Sequence, residues 1–427
     1  MRKPAIYVAL AVGIAATNLC GRCDDDRPDR RTVLRVANWG GPSVDASFMK
    51  TEREIWDEFE RRHPKVRLQI ENIPGFGQYV PKLLMTFVSG NPPDVLSLDG
   101  SAAAVFIDNN LLADLTPLIR DDATFHLDDY FSNVLEIARR GERLYAIPLD
   151  FTPMVMMYNK RIFDEAGVPY PRDGWTWSEF LQTAEKLTVV DPKTATPTRF
   201  GFNFQKEMPL WFPWIWSNGG DVLSPDGRHA VGYLDGPATV ETITFLADLV
   251  RKYRVAPSLS QSAAAGVDLF RAGRAAMNMT GHWSLIEYRV DRMDIGVTTI
   301  PTQIGRPVTV LYATGLAISR ASRHRDLAWE YVKFLTSEAV QKKRVAGGLA
   351  ISGNRKAAES FAGTPVEDAF LSEVKYARPP WGSRVEGYEL VEDLGREMIE
   401  DILNGGVPVR QAASRTARLV EMELNRP

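Results

Sequence analysis

The side chains of this chain that could do chemistry are aromatic and acidic, not nucleophilic or metal-ligating. The sequence holds ten Trp and 54 Asp plus Glu, against five His and two Cys. The histidines (His63, His126, His229, His282, His324) are scattered and form no H-E-x-x-H or comparable metal spacing. There is no G-x-S-x-G elbow, no P-loop and no G-x-G-x-x-G following a strand. Two carboxylates about 5–10 Å apart are all that a glycosidase needs, and so large a stock of acids does not exclude that chemistry. The indoles are more informative. Trp39 is followed by Gly40-Gly-Pro42, where a chain without side-chain bulk lets a guest approach the backbone. Trp211-Phe-Pro-Trp-Ile-Trp216 is the densest aromatic cluster; on a helix Trp211 and Trp214 share one face, available either for stacking on a guest or for the core. Trp175 and Trp177 flank Thr176, which with Glu179 spells a capping box, so these two read as structural.

The two cysteines stand as Cys20 and Cys23. A lone pair offers two thiolates where a structural zinc takes four ligands. Their place decides the reading. Arg2 and Lys3 precede the apolar run Ala5–Ala16, too short to span a bilayer and suited to the core of a signal peptide. Residues 1–23 are therefore expected to be a signal segment, with Cys20 as a lipid acceptor or the whole signal simply cleaved. Residues 24–32 are expected to be a polar tether. A body with few or no thiols suits an oxidising compartment: a periplasm, or the outer face of a membrane.

The elements that must position these side chains follow from periodicity. Val33–Trp39, Val66–Ile70 and Asp94–Leu98 alternate as strands, separated by helical stripes over Ser47–Arg62 and Tyr79–Val88. This βαβαβ rhythm implies a parallel sheet covered on both faces. Further strands are expected at Tyr145–Asp150, Val155–Tyr158, Phe200–Phe204, Ala275–Met279, Ile295–Thr299 and Leu316–Ser319. Further helices are expected at Trp177–Leu187, Thr239–Tyr253, Asp326–Leu335 and Glu386–Leu403. A chain of 427 residues exceeds one ordinary core, so two domains are expected, interleaved because no low-complexity linker parts them. The net charge of −3 argues against a nucleic-acid partner.

Several segments carry a resemblance: Val36-Ala-Asn-Trp-Gly40, Phe59–Leu68, Gly90-Asn-Pro-Pro-Asp-Val-Leu96, Leu144–Leu149 with Tyr158–Phe163, Trp175–Phe180, Asn218-Gly-Gly-Asp221, Phe270–Met277 and Gly315–Ser319. In this order and spacing the chain resembles the extracellular solute-binding family 1, the maltose-binding type of ABC-transporter receptor. The resemblance implies an α/β fold of the two-lobed periplasmic-binding-protein class (type II), two interleaved α/β domains joined by a hinge. The three crossings would lie near Pro148-Leu149, near Thr280-Gly281 and after Ser319. Lobe 1 would then comprise residues 33–147 plus 283–336, and lobe 2 residues 148–282 plus 337–427.

The resemblance also implies a solute in the cleft and delivery to membrane permease subunits, by a monomer without cofactor, metal or catalytic residue. The expected solute is a mono- or oligosaccharide. A sugar needs aromatic platforms for its C–H faces and polar partners for its hydroxyls. Trp39 and Gly40 end the first strand, and Asp99 and Gly100 the third, where open α/β sheets hold ligands. Asp150 and Thr152 follow the first crossing. Gly281-His282-Trp283 matches the Gly-x-Trp of the family cleft, with His282 departing from the small or Pro residue common there. Tyr312 and Gly315 border the third crossing, and Trp381 offers a further platform. Trp211 and Trp214 complete the candidate contacts. Receptors for glycerol phosphate or a polyol, and a glycoside hydrolase, are the alternatives. A polycation receptor would want several acids in the cleft and an anion receptor arginines or free helix N-termini, whereas this aromatic-rich set with scattered acids suits a neutral polyol.

Overall fold

The computed structural model describes residues 31–39, 46–73, 76–346 and 350–426. The expectations for the signal segment, for Cys20 and for Gly40 lie outside the described residues.

The opening strands form as the pattern predicts, although β3 is buried along nearly its whole length rather than on one face. β1 (Thr32–Trp39) pairs in parallel with β2 (Val66–Ile73) and β3 (Val95–Asp99), with β1 between them. After the short pair β4 (Arg139–Arg140) and β5 (Arg143–Leu144), the chain enters the long strand β6 (Ala146–Pro153). β7 (Val155–Asn159), β8 (Val189–Val190), β9 (Pro197–Asn203), β10 (Ala275–Thr280) and β11 (Ile295–Thr298) make a second sheet in the order β11-β7-β10-β9-β8. β12 (Thr309–Ile318) returns to the first sheet between β6 and β3, antiparallel to both. β13 (Ile351–Ser352) adds to the far edge of β6, and β14 (Ala377–Arg378) pairs with the start of β12.

Helices cover both faces of each sheet because the inner strands, such as β3, β7 and β10, are buried on both sides. On one face of the first sheet, Ile55 and Phe59 of helix Ala46–Arg62 pack with Tyr331 and Val332 of helix Arg325–Thr336. On the other, Tyr79 and Leu83 pack with Phe106. Helix Trp177–Leu187 begins as its sequence predicts, with the Thr176–Glu179 capping box formed and both flanking indoles buried. Helix Val409–Leu424, which was not anticipated, buries Ala412, Ala413, Ala417 and Val420 in the core of the second sheet.

The expected lobe boundaries need correction at two of the three crossings. The chain passes between the sheets along β6, as placed. Near Thr280-Gly281, however, it does not cross: β10 leads through a turn and helix Leu285–Val290 into β11, which pairs with β7 of the same sheet. The second crossing is β12 itself. Val310 belongs to the core of the second lobe, and Leu316 and Ile318 to that of the first. Nor does the chain leave the first lobe after Ser319 or at residue 337. Helix Glu338–Val345 still packs there through Val340, and Arg344 donates from Nε to Glu52 at 2.6 Å. The third passage follows β13. A short strand ending in Thr-Gly reads alike whether it turns back or crosses over; only its hydrogen-bonding partner tells the two apart.

Candidate functional site

The polar residues that end the strands of the first sheet lie in one row. Thr314 of β12 stands opposite Asp99 of β3 and opposite Asp150 of β6, which in turn faces Ser352 of β13. Tyr312, two residues earlier, lies on the same face as Thr314 and opposite Thr152. A bulge between Thr314 and Gly315 lets the strands close up here. A Cβ at Gly315 would come 2.8 Å from that of Ala146. Gly100 is equally tight, since a Cβ there would lie 2.7 Å from Ile137 and 3.0 Å from the Ala313 carbonyl.

Against this row stands the turn after β10. The His282 N–H donates to Thr152 Oγ1 at 2.8 Å, and the Thr152 hydroxyl donates to the Pro153 carbonyl at 2.9 Å. Thr152 thus clips the second lobe to the first. The turn projects Trp283, 40% exposed, with its ring 6.3 Å from that of Tyr312. Gly281 makes this pose possible: a Cβ there would fall 2.4 Å from the Trp283 ring.

Behind Trp283 opens a cavity of about 510 Å³. It lies at the C-terminal ends of the parallel strands β9 and β10, where α/β sheets hold ligands. Its floor is a hydrogen-bonded chain of amides and hydroxyls that ends at the Asp268 carboxyl. The Asn203 and Gln205 amides donate to Asn278 Oδ1 at 3.3 and 3.2 Å; Asn278 donates to the Tyr288 hydroxyl at 3.2 Å, which donates to Asp268 at 2.8 Å. Thr280 and Ser284 hydroxyls pair at 2.7 Å. Lys206 and Glu207 flank the opening, and Lys206 is held by Glu400. Such a wall exchanges hydrogen bonds with hydroxyls in any orientation, since amides and hydroxyls both donate and accept.

The family model for bacterial extracellular solute-binding proteins matches residues 45–342. This chain is a member of that family. Among its relatives, a putative binding protein of Brucella abortus is 22% identical over 387 residues, covering 88% of either chain. A multiple sugar-binding protein of Streptococcus mutans is 25% identical, covering 72% of this chain and 73% of the relative. A diacetylchitobiose binding protein of Streptomyces coelicolor is 24% identical, covering 80% and 79%. In three dimensions the chain superposes on an ABC substrate-binding protein from Listeria monocytogenes in complex with cycloalternan (TM-score 0.80, 23% identity, 92% of this chain and 99% of that one). It also superposes on a maltodextrin-binding domain from Bdellovibrio bacteriovorus bound to maltotriose (TM-score 0.76, 18% identity, 93% and 100%). The fold is thus the two-lobed type II periplasmic-binding-protein fold that the resemblance implied. Among the described residues no helix is long and apolar enough to cross a membrane.

In this solute-binding protein the candidate residues divide by what their side chains touch. Trp283 lines the cavity and is exposed, with Tyr312 beside it. Trp39, 43% exposed, ends β1. Asp99 is pushed up by burial and partly held back by Ser101, whose N–H and hydroxyl both donate to it. Burial and the nearby acids also push the Tyr312 hydroxyl up. The other candidates have different work. Asp150 is raised by burial and pulled back by Arg344, 3.6 Å away, so it belongs to an internal Glu52–Arg344–Asp150 network. His282 turns inward: its ring meets Phe370 edge-on and its Nε2 lies 2.8 Å from Glu367. Trp211 and Trp214 are fully buried, Trp211 donating to the Lys206 carbonyl at 2.9 Å and Trp214 packed among Trp177, Phe180, Phe202 and Phe245. Neither can stack on a ligand. Trp381 is also buried, donating to Asp221 at 2.8 Å beneath Arg384.

The residues of the cavity floor (Asn203, Gln205, Asn278, Tyr288) were not anticipated. Their signal is present in Phe200-Gly-Phe-Asn-Phe204 and Ala275–Met279, where amides close two otherwise apolar strands. That pattern acquires meaning only once both strands are known to run parallel with their ends side by side.

Proposed function

We propose that this protein is the substrate-binding component of an ABC transporter for a carbohydrate, taken up without turnover and handed to permease subunits in the membrane. The observation that carries this reading is the cavity beside Trp283: a floor of neutral amides and hydroxyls with an exposed indole at its rim. A pyranose presents those same two surfaces, an edge of hydroxyls and a face of C–H groups. Relatives named for binding multiple sugars and diacetylchitobiose, and similar folds holding cycloalternan and maltotriose, support the same class.

Binding proceeds by hinge closure. The sugar settles against the amide floor, Trp283 and the neighbouring Tyr312, and the first lobe then swings about β6 and β12 to bring Trp39 onto it. Closure is driven only by the contacts that the ligand gains in the closed form. The protein acts as a monomer on the outer face of the membrane, and Cys20 at the end of the leader supplies the anchor.

Thermal-shift screening against mono- and oligosaccharides, with chromatography of the incubated sugars, tests this. A ligand at 100 times its Kd adds about 2.7 kcal/mol to stability, a clear rise in Tm. No shift with any sugar sinks the reading, and new products would turn it into a hydrolase.

A further inference from the structure

The cavity lining does not include three further carboxyl groups that lie close enough to feel one another at the seam of the two lobes: Asp99, Glu392 and the more exposed Glu389. Asp99 closes β3. Glu389 and Glu392 lie on helix Tyr388–Leu403, where Tyr388, Glu392 and Gly395 share a face. Two contacts bring this helix to the site. Gly395 packs against Met208 and Trp211, next to Leu210 of the cavity wall. The loop just before the helix lies on the turn after Asp99, so closely that a Cβ at Gly382 would fall 1.7 Å from the Ser101 carbonyl oxygen.

Within this seam two tyrosine hydroxyls are buried with no hydrogen-bond partner, those of Tyr312 and Tyr388, and Tyr388 is only 2% exposed. Both feel the charge of Glu392, and Tyr312 also feels Asp99 and Tyr388. Burial, then Asp99, Glu389 and Asp393, push the Glu392 carboxyl up to about 8. Burial and Asp393 raise Glu389 as well.

The basic groups of the neighbouring elements are engaged elsewhere. Lys206 is held by Glu400, Arg140 by Asp108 and the Ser383 carbonyl, and Arg344 by Glu52 and Asp150. Arg378 lies over Trp216 and bonds Asp221, and Arg384 lies over Trp381. Among the described residues no group of acids and histidines is arranged to hold a metal ion. The missing positive charge is therefore one that an organic guest can bring.

We infer that the carbohydrate this protein takes carries a basic nitrogen, as in an amino sugar, whose ammonium group sits at the seam between Asp99 and Glu392 and donates hydrogen bonds to the Tyr312 and Tyr388 hydroxyl oxygens. This rests on the carbohydrate reading and narrows it. A neutral sugar leaves Glu392 buried without a counter-charge, and burial with its acidic neighbours favours its protonated form. An ammonium group reverses that balance: Glu392 gives its proton to solvent, and the carboxylate and the cation pair.

The test is calorimetry on the full protein at pH 6.5 with matched ligands: glucose, glucosamine and N-acetylglucosamine, and the β-1,4-linked disaccharides of each. The amine forms are expected to bind at least about tenfold tighter than their N-acetyl and hydroxyl counterparts, a difference of about 1.4 kcal/mol. They should also release protons, seen as a binding heat that varies with the ionisation enthalpy of the buffer. In Glu392→Gln the amine-to-N-acetyl affinity ratio should fall about tenfold, and Asp99→Asn should lower the same ratio. Equal affinities for amine and neutral sugars, without proton release, overturn this inference and leave the carbohydrate reading intact. Absence of binding by every sugar overturns the carbohydrate reading, and this inference with it.

Discussion

Trp214 and Trp283 lie on the same lobe, some seventy residues apart in sequence, and do opposite work. Trp214 is fully enclosed by Trp177, Phe180, Phe202 and Phe245, so its ring area holds the second lobe together. Trp283 stands 40% exposed on a turn that only a glycine at position 281 can shape, with one ring face left for a guest. Composition makes these indoles equivalent. Enclosure separates them, and it separates the acids and polar groups in the same way: those tied into the interior set stability, and those at the rim remain free to recognise.

The largest effect expected from breaking this contrast is on folding. Trp214→Ala should lower stability by about 3–5 kcal/mol, because it removes a large ring from a closed core; denaturant titration measures it, and a loss below about 1 kcal/mol would mean the core is not as closed as the packing indicates. The same truncation at Trp283 should leave the unliganded protein within about 1 kcal/mol of the wild type.

Next comes a pH effect that shows what enclosure does to an acid. Burial, and then Asp173, push Glu373 up to about 8 from an ordinary 4.5. Its folded form therefore holds a proton more tightly than the unfolded chain does. Stability should fall as pH rises from 4.5 to about 8 and level off above, by about 1–4 kcal/mol for this one group. Glu373→Gln should flatten that slope in melts taken across the range; an unchanged slope would show that Glu373 is ionised in the folded state.

Binding effects are smaller. Trp283→Ala should weaken sugar binding by about 10–100-fold, about 1.4–2.7 kcal/mol, with little change in Tm. Trp39→Ala, across the cleft, should weaken it by about 3–10-fold, because this ring is met only after closure. Titration calorimetry on both variants ranks them, and a larger loss at Trp39 would place the primary platform on the first lobe instead.

The sequence by itself determined the local elements and the family. Alternation set β1 to β3, the capping box set the start of helix Trp177–Leu187, and both decoy indoles were recognised as structural. These depend on neighbours within a few positions, which is the range over which side chains and backbone select a conformation. The exposed pose of Trp283 also has a local signal, because its glycine is adjacent to it. What only the tertiary structure decided is which strands pair and which way each polar group faces. β11 turned back to β7 instead of crossing, so the lobe boundaries moved. His282 turned to Glu367, Asp150 to Arg344, and Trp211 and Trp214 into the core, while Asn203 and Asn278, 75 positions apart, met to build the cavity floor. Such contacts are settled by burial and hydrogen-bond satisfaction between segments distant in the chain, and local spacing carries no record of them.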